Sequence, residues 1–170
     1  MNLDFHQHLP ENFAPDSRVW IYQASRRLFL GEALELEPDL EAFCADWRSH
    51  GAKVTAYGNL FFGQFLVLMA DERAAGVSGC STDSSVRFVQ DLGKRLNVDF
   101  FNRTHLAFVV RDKIETIPMA QLQPALTAGL VGPDTLYFNN TVATKAEFES
   151  NWIIPVRESW IAGRFAMSNR

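Results

Sequence analysis

Cysteine is scarce in this chain. Cys44 and Cys80 are the two in 170 residues, and neither sits in a CxxC pair or at metal-ligand spacing from a histidine. A disulfide scaffold and a zinc ribbon are thereby excluded, and a reducing compartment is the expectation. Long apolar runs are missing as well. The longest clean one, residues 65–70, falls far short of the ~20 residues a membrane helix needs. Positive charge is in deficit: 16 Lys and Arg stand against 20 Asp and Glu, a formal net charge of −4. That balance argues against nucleic acid as a partner. Residues 1–15 hold no Lys or Arg, so no secretory leader is expected there. No Gly-x-x-x-x-Gly-Lys-Ser/Thr occurs; Gly93-Lys94 has Phe88 at the first glycine position and Arg95 next. Without that phosphate cradle the motif for nucleotide hydrolysis is incomplete.

What is present is globular. Hydrophobic residues make up 47%, aromatics 12% and charged residues 21%, a balance that excludes disorder and fibrous repeats. A chain of this length buries roughly 70% of its unfolded surface. The expectation is one cytoplasmic domain over 1–170, with an N-terminal arm at 1–16 and a C-terminal helical segment at 152–170. His6-x-His8 in the arm lacks a third ligand and reads as solvated rather than metal-binding.

Arg18-Val-Trp-Ile-Tyr22 reads as a first strand. Glu37-Pro38 looks like a helix start, with Leu40, Phe43, Cys44 and Trp47 at i, i+3, i+4 and i+7. Six acids and no base lie between Glu32 and Asp46, which reads as a solvated face favoured by the helix dipole. Residues 53–57 and 61–70 suggest a hairpin turning at Gly58-Asn59. A second helix is predicted from Ser81 or Thr82, with Phe88, Val89, Leu92 and Leu96 inside and Asn97 as its stop. Residues 105–110 and 114–117 form a hairpin around Arg111-Asp112-Lys113. A short helix follows Pro118, then a strand at 135–138, a helix at 144–152 and a last segment after Pro155. This order predicts an α+β fold, an antiparallel sheet with helices packed on one face. The specific form is a ferredoxin-like βαββαβ core at 18–111 with a C-terminal α/β elaboration.

Two segments and one histidine carry the chemically capable residues. Residues 65–72 are an apolar strand ending in Asp71-Glu72, the layout of a magnesium-binding strand in nucleotide hydrolases, here without its phosphate loop. The stretch 76–85 is the most informative. Ser78, Gly79, Cys80, Ser81, Thr82, Ser84 and Ser85 bring hydroxyls and free amides to a helix start, which suits a small anion or an activated thiol. Cys80 is the candidate nucleophile and His105 its candidate base. The competing reading is a helix cap, with Asp83 in the first turn already taking the favourable charge position. Cys80 and Arg87 have six residues between them, one too many for a cysteine phosphatase loop, and Cys80 stands where a nucleophile elbow needs glycine. No metal site and no cofactor are expected. Trp152, Trp160 and Phe165 either close the core or form a homodimer surface.

Ser17-Arg-Val-Trp-Ile-Tyr-Gln23, Ser78-Gly-Cys-Ser-Thr-Asp-Ser-Ser-Val86, Phe138-Asn-Asn140, Asn151-Trp152 and Ser159-Trp160 together resemble a family of small bacterial cytosolic proteins sometimes labelled ABC-transporter ATPases. The resemblance runs from about Leu9 to Trp160, and the Gly-Cys-Ser-x-Asp-x-Ser segment is its most specific part. It implies no activity and no catalytic residue. Val77-Ser-Gly-Cys-Ser81 is only faintly similar to the signature of those ATPases, and it follows the Asp-Glu strand where theirs precedes it. The chemistry in that label is therefore rejected. The sequence predicts a small binding or interaction module contacting a small anion or a protein through 76–85. The alternative is a cysteine-dependent enzyme.

Overall fold

The β-branched and aromatic run Arg18–Gln23 forms strand β1 in a computed structural model that describes residues 1–165. Helix α1 (Leu30–Asp46), the short strands β2 (Arg48–Ser49) and β3 (Ala52–Lys53), and strands β4 (Thr55–Phe61) and β5 (Phe65–Asp71) follow. Then come α2 (Gly79–Leu96), β6 (His105–Val110), β7 (Lys113–Pro118), α3 (Leu122–Thr127) and β8 (Leu136–Phe138). α4 (Lys145–Asn151), β9 (Ile153–Pro155) and α5 (Ala162–Phe165) complete the described residues. The elements divide into two compact units. One holds Phe5–Asn102 and Ala143–Glu149; the other holds Met1–Asp4, Arg103–Val142 and the chain from Ser150 onward.

In the first unit β5 lies between β1 and β4, antiparallel to both, from Arg18↔Ala70 to Gln23↔Phe65 and from Thr55↔Asp71 to Phe61↔Phe65. Every residue of β5 is buried, as a central strand covered on both faces must be. The pleat separates its side chains. Leu66 and Leu68, with Tyr22, meet Leu36 and Leu40 of α1 and Val89, Leu92 and Leu96 of α2. Both helices therefore cover one face of an antiparallel sheet and the α+β class holds, but the expectation of helices on one face alone is corrected, because α4 lies on the other. On the other face Phe61 packs edge-on to Phe5 of the N-terminal segment and against Phe148 of α4. That segment is packed, with Phe5 and Leu9 buried.

β1 and β4 run parallel around β5, the strand order of the first three strands of the expected βαββαβ core. The fourth is absent from this sheet, because β6 joins β7, β8 and β9 instead. The free edge of β1 is bridged by chain near Thr144: Val19 donates to the Ala143 carbonyl at 2.9 Å and Lys145 to that of Ser17 at 2.9 Å. The ferredoxin-like core at 18–111 is corrected accordingly.

Local boundaries moved for identifiable reasons. Gly58-Asn59 is not a turn; β4 runs through it. A Cβ at Gly58 would lie 2.8 Å from Leu40 Cδ1 and 3.1 Å from Cys44 Sγ, so glycine here lets α1 approach the strand. The turn is Phe62-Gly63, both at positive φ, closed by Gln64 N–H to the Phe61 carbonyl at 3.0 Å. α1 begins eight residues before Pro38, which lies inside it on the exposed side. Its start is fixed by Glu32, whose carboxylate accepts the Phe29 N–H at 2.7 Å. α2 begins at Gly79, not at Ser81 or Thr82, and ends on Asn97 in the left-handed region.

The second unit is the antiparallel sheet β7-β6-β8-β9. Arg111 and Asp112, at φ 49° and 63°, form a two-residue hairpin turn in place of the expected turn over Arg111-Asp112-Lys113, since Lys113 already opens β7. The helix after Pro118 is a 3-10 turn, Met119–Gln121, followed by α3. Phe108, Leu122, Val131, Tyr137 and Ile161 are among its core. The segment at 152–170 is not simply helical, since it opens with strand β9. Trp152 is fully buried, donates to Asn140 Oδ1 at 3.0 Å and packs edge-on to Phe138. It is a core residue and unavailable to a dimer surface. Trp160 is exposed, and the side chain of Phe165 lies outside the described residues. No helix among the described residues is long and apolar enough to cross a membrane.

Candidate functional site

The stretch 76–85 forms the N-terminal turns of α2, and its hydroxyls turn inward. Ser78 is the cap: its Oγ accepts the Ser81 N–H at 3.3 Å, and its carbonyl accepts the hydroxyls of Ser81 at 2.8 Å and Thr82 at 3.0 Å. Ser84 Oγ donates to the Ser81 carbonyl at 2.7 Å and Ser85 Oγ to that of Thr82 at 2.8 Å. These are the back-bonds serine and threonine make within a helix. Neighbours complete the arrangement. Ser49 Oγ accepts the Ser78 N–H at 3.1 Å, Glu72 accepts the Val77 N–H at 2.6 Å, and Trp47 Nε1 donates to the Ser81 carbonyl at 2.9 Å. Gly79 and Cys80 are exposed on the first turn. The structure thus gives each predicted hydroxyl a partner inside the protein.

The other predicted groups have their own local settings. Cys80 belongs to the first unit, whereas His105 opens β6 in the second, its Nδ1 3.4 Å from Thr104 Oγ1. Cys44 is half-buried on α1, where burial pushes its thiol up to about 11. Asp71 is held by Arg73 and the Ala14 N–H; hydrogen bonding to Arg73 keeps its carboxyl well below the usual range. The Asp-Glu strand end is therefore structural, with Asp71 anchoring an arginine and Glu72 a loop amide. His6 Nε2 lies 2.9 Å from the Glu149 carbonyl. No group of three potential metal ligands occurs among the described residues.

The region read as a mere solvated face has more to offer. α1 buries Leu36 and Leu40 and turns Leu30, Leu34, Glu37 and Glu41 outward, all exposed. Their spacing of four, three and four residues is that of a helix–helix seam. Leu30 is 77% exposed, Phe29 72% and Leu34 59%, the three highest values for exposed large apolar side chains among the described residues. Arg26 lies over the Phe29 ring, 5.4 Å from its centroid, while also pairing with Glu32 at 2.7 Å. That pair, with the Phe29 N–H, lowers the Glu32 carboxyl to about 2. Asp39 pairs with Arg95 of α2. Glu35, Glu37 and Glu41 have no cationic partner among the described residues. On the α2 side of α1, a shallow groove of about 680 Å³ has the stacked rings of Phe43 and Phe88 in its wall, centroids 4.3 Å apart. Sequence reasoning missed the seam because its first half lies before Pro38. The i, i+4, i+7, i+11 spacing was the available signal. No family model, curated protein or solved structure matches this chain.

Proposed function

We propose that this protein is a small cytoplasmic binding module whose contact surface is the outward face of α1. The observation that carries this reading is the exposure of Phe29 at the N-cap of α1 and of Leu30 and Leu34 in its first two turns, each more than half exposed, on a helix anchored to the core through Leu36 and Leu40. Scattered exposed leucines are ordinary; three large apolar side chains together mark an interaction site. Protein partners suit such a surface better than the small anion, because the hydroxyls of 78–85 are already bonded within the protein. A second reading, a cysteine-dependent enzyme, draws on the exposure of Cys80 in the first turn of α2. The two readings separate in one paired experiment. Wild type, a Phe29→Ser/Leu30→Ser/Leu34→Ser variant and Cys80→Ala are used as baits under identical conditions. The module reading expects a protein enriched about tenfold or more by wild type and Cys80→Ala over the triple variant. Equal capture by all three baits overturns it, and loss confined to Cys80→Ala favours the enzyme.

A further inference from the structure

Resting on that reading, we infer that the occupant of the α1 face is a cationic amphipathic helix. Its apolar side chains pack against Phe29, Leu30 and Leu34, and its Lys or Arg residues meet Glu37 and Glu41. The apolar half of the seam supplies the contact and the acidic half selects the partner. α1 carries six acids and no base. Glu32 and Asp39 are neutralised within the protein, which leaves Glu35, Glu37, Glu41 and Asp46 exposed, with Glu37 and Glu41 in line with the leucines. The C-terminal end of the helix dipole adds negative potential on the Glu41 side.

The same charges exclude other occupants. A second copy aligned parallel would set Glu37 and Glu41 against themselves, and an antiparallel copy would set Leu30 and Leu34 against carboxylates. Nucleic acid and anionic membrane surfaces are repelled by this face and by the net charge of −4. A helix carrying two leucines followed by two lysines at matching seam spacing satisfies both halves at once.

The test uses the full chain and a fluorescein-labelled synthetic helix with leucines at i and i+4 and lysines at i+7 and i+11, followed by fluorescence anisotropy. Binding is expected at about 0.05 M salt and weakens about fivefold or more at about 0.5 M, where the Debye length falls from about 14 Å to about 4 Å. Leu30→Ser/Leu34→Ser weakens it about tenfold, and Glu37→Gln/Glu41→Gln removes most of the salt dependence. The same peptide with glutamate in place of lysine stays unbound. All four substituted positions are exposed, so the variants keep the wild-type thermal melt. The proposal is overturned if the lysine peptide fails to bind, if the glutamate peptide binds equally, or if the leucine substitutions leave binding unchanged. It is also overturned if sedimentation shows wild type to be a dimer that these substitutions dissociate. Should the lysine peptide fail while the triple-serine bait still loses a captured protein, the partner chemistry is wrong and the module reading stands.

Discussion

α1 and α2 cover the same face of one sheet, touch through the Phe43–Phe88 stack and treat their polar groups in opposite ways. α2 is self-contained. Its cap is a neutral hydroxyl, its serines and threonine bond their own backbone, and its charges are mixed, as in Lys94 with Asp91. α1 is held at its start by an ion pair, carries charge of one sign, and leaves leucines in water. The stretch with the richer chemical vocabulary is thus the one whose groups are already satisfied. The difference teaches that a functional surface is identified by what a fold leaves unsatisfied, and a dense set of polar residues can be wholly internal.

The contrast between the two faces of α1 is where the largest effect is expected. Leu36 is 1% exposed and Leu34 59%, two residues apart on the same helix. Leu36→Ala should lose about 2–5 kcal/mol, the cost of a buried leucine truncation, whereas Leu34→Ala should stay within about 0.5 kcal/mol. Urea unfolding of the two variants reads this directly. If Leu34→Ala costs as much as Leu36→Ala, the outer leucines are core residues and the contact surface disappears.

Much of this fold was legible, and the failures are instructive. β1, β5, the Arg111-Asp112 turn and the Asn97 stop each carry a local signal: β-branched composition, an apolar run, or a residue that accepts positive φ. The α1 start was misread because Pro38 looks like a helix opener. Inside the helix it removes one backbone donor on the solvent side, a loss the anchored opposite face outweighs. Gly58 was misread because a glycine in a strand and one in a turn look alike; only the 2.8 Å approach of Leu40 distinguishes them. The departure of β6 to a second sheet has no local signature, since sheet membership is set by long-range pairing. At the predicted site, residue types were legible but the direction of each hydroxyl was not.

The caps offer the next comparison. Ser78→Ala removes the acceptor of the Ser81 N–H and should cost about 1 kcal/mol. Cys80→Ala, two residues on and exposed, should fall within about 0.5 kcal/mol. Equal costs would mean that the thiol shares in the cap, and α2 would no longer be the self-contained partner in the contrast.

The smallest effect sharpens the difference between a charged start and a neutral one. Hydrogen bonding to Arg26, and then to the Phe29 N–H, lowers the Glu32 carboxyl from 4.5 to about 2 in the folded chain. A depressed carboxyl stabilises the fold above its unfolded pKa, and that contribution is lost as pH falls through the folded value. The first turn of α1 should therefore keep its amide protection at neutral pH, begin to lose it below about 4.5, and have lost the Glu32 share below about pH 2. The first turn of α2, capped by the Ser78 hydroxyl, has no such dependence. Glu32→Gln separates this from the acid response of Asp71, whose carboxyl is lowered in the same unit by Arg73. In that variant the α1 turn should be less protected at neutral pH and flatter through the acid range, while the α2 turn is unchanged. Amide exchange at Ala33 and Thr82, which bond to the carbonyls of Phe29 and Ser78, compares the two starts in one sample. An acid loss at Ala33 that survives Glu32→Gln would show that another carboxylate holds α1 in place, and the opposition between the two helices would have to be drawn elsewhere.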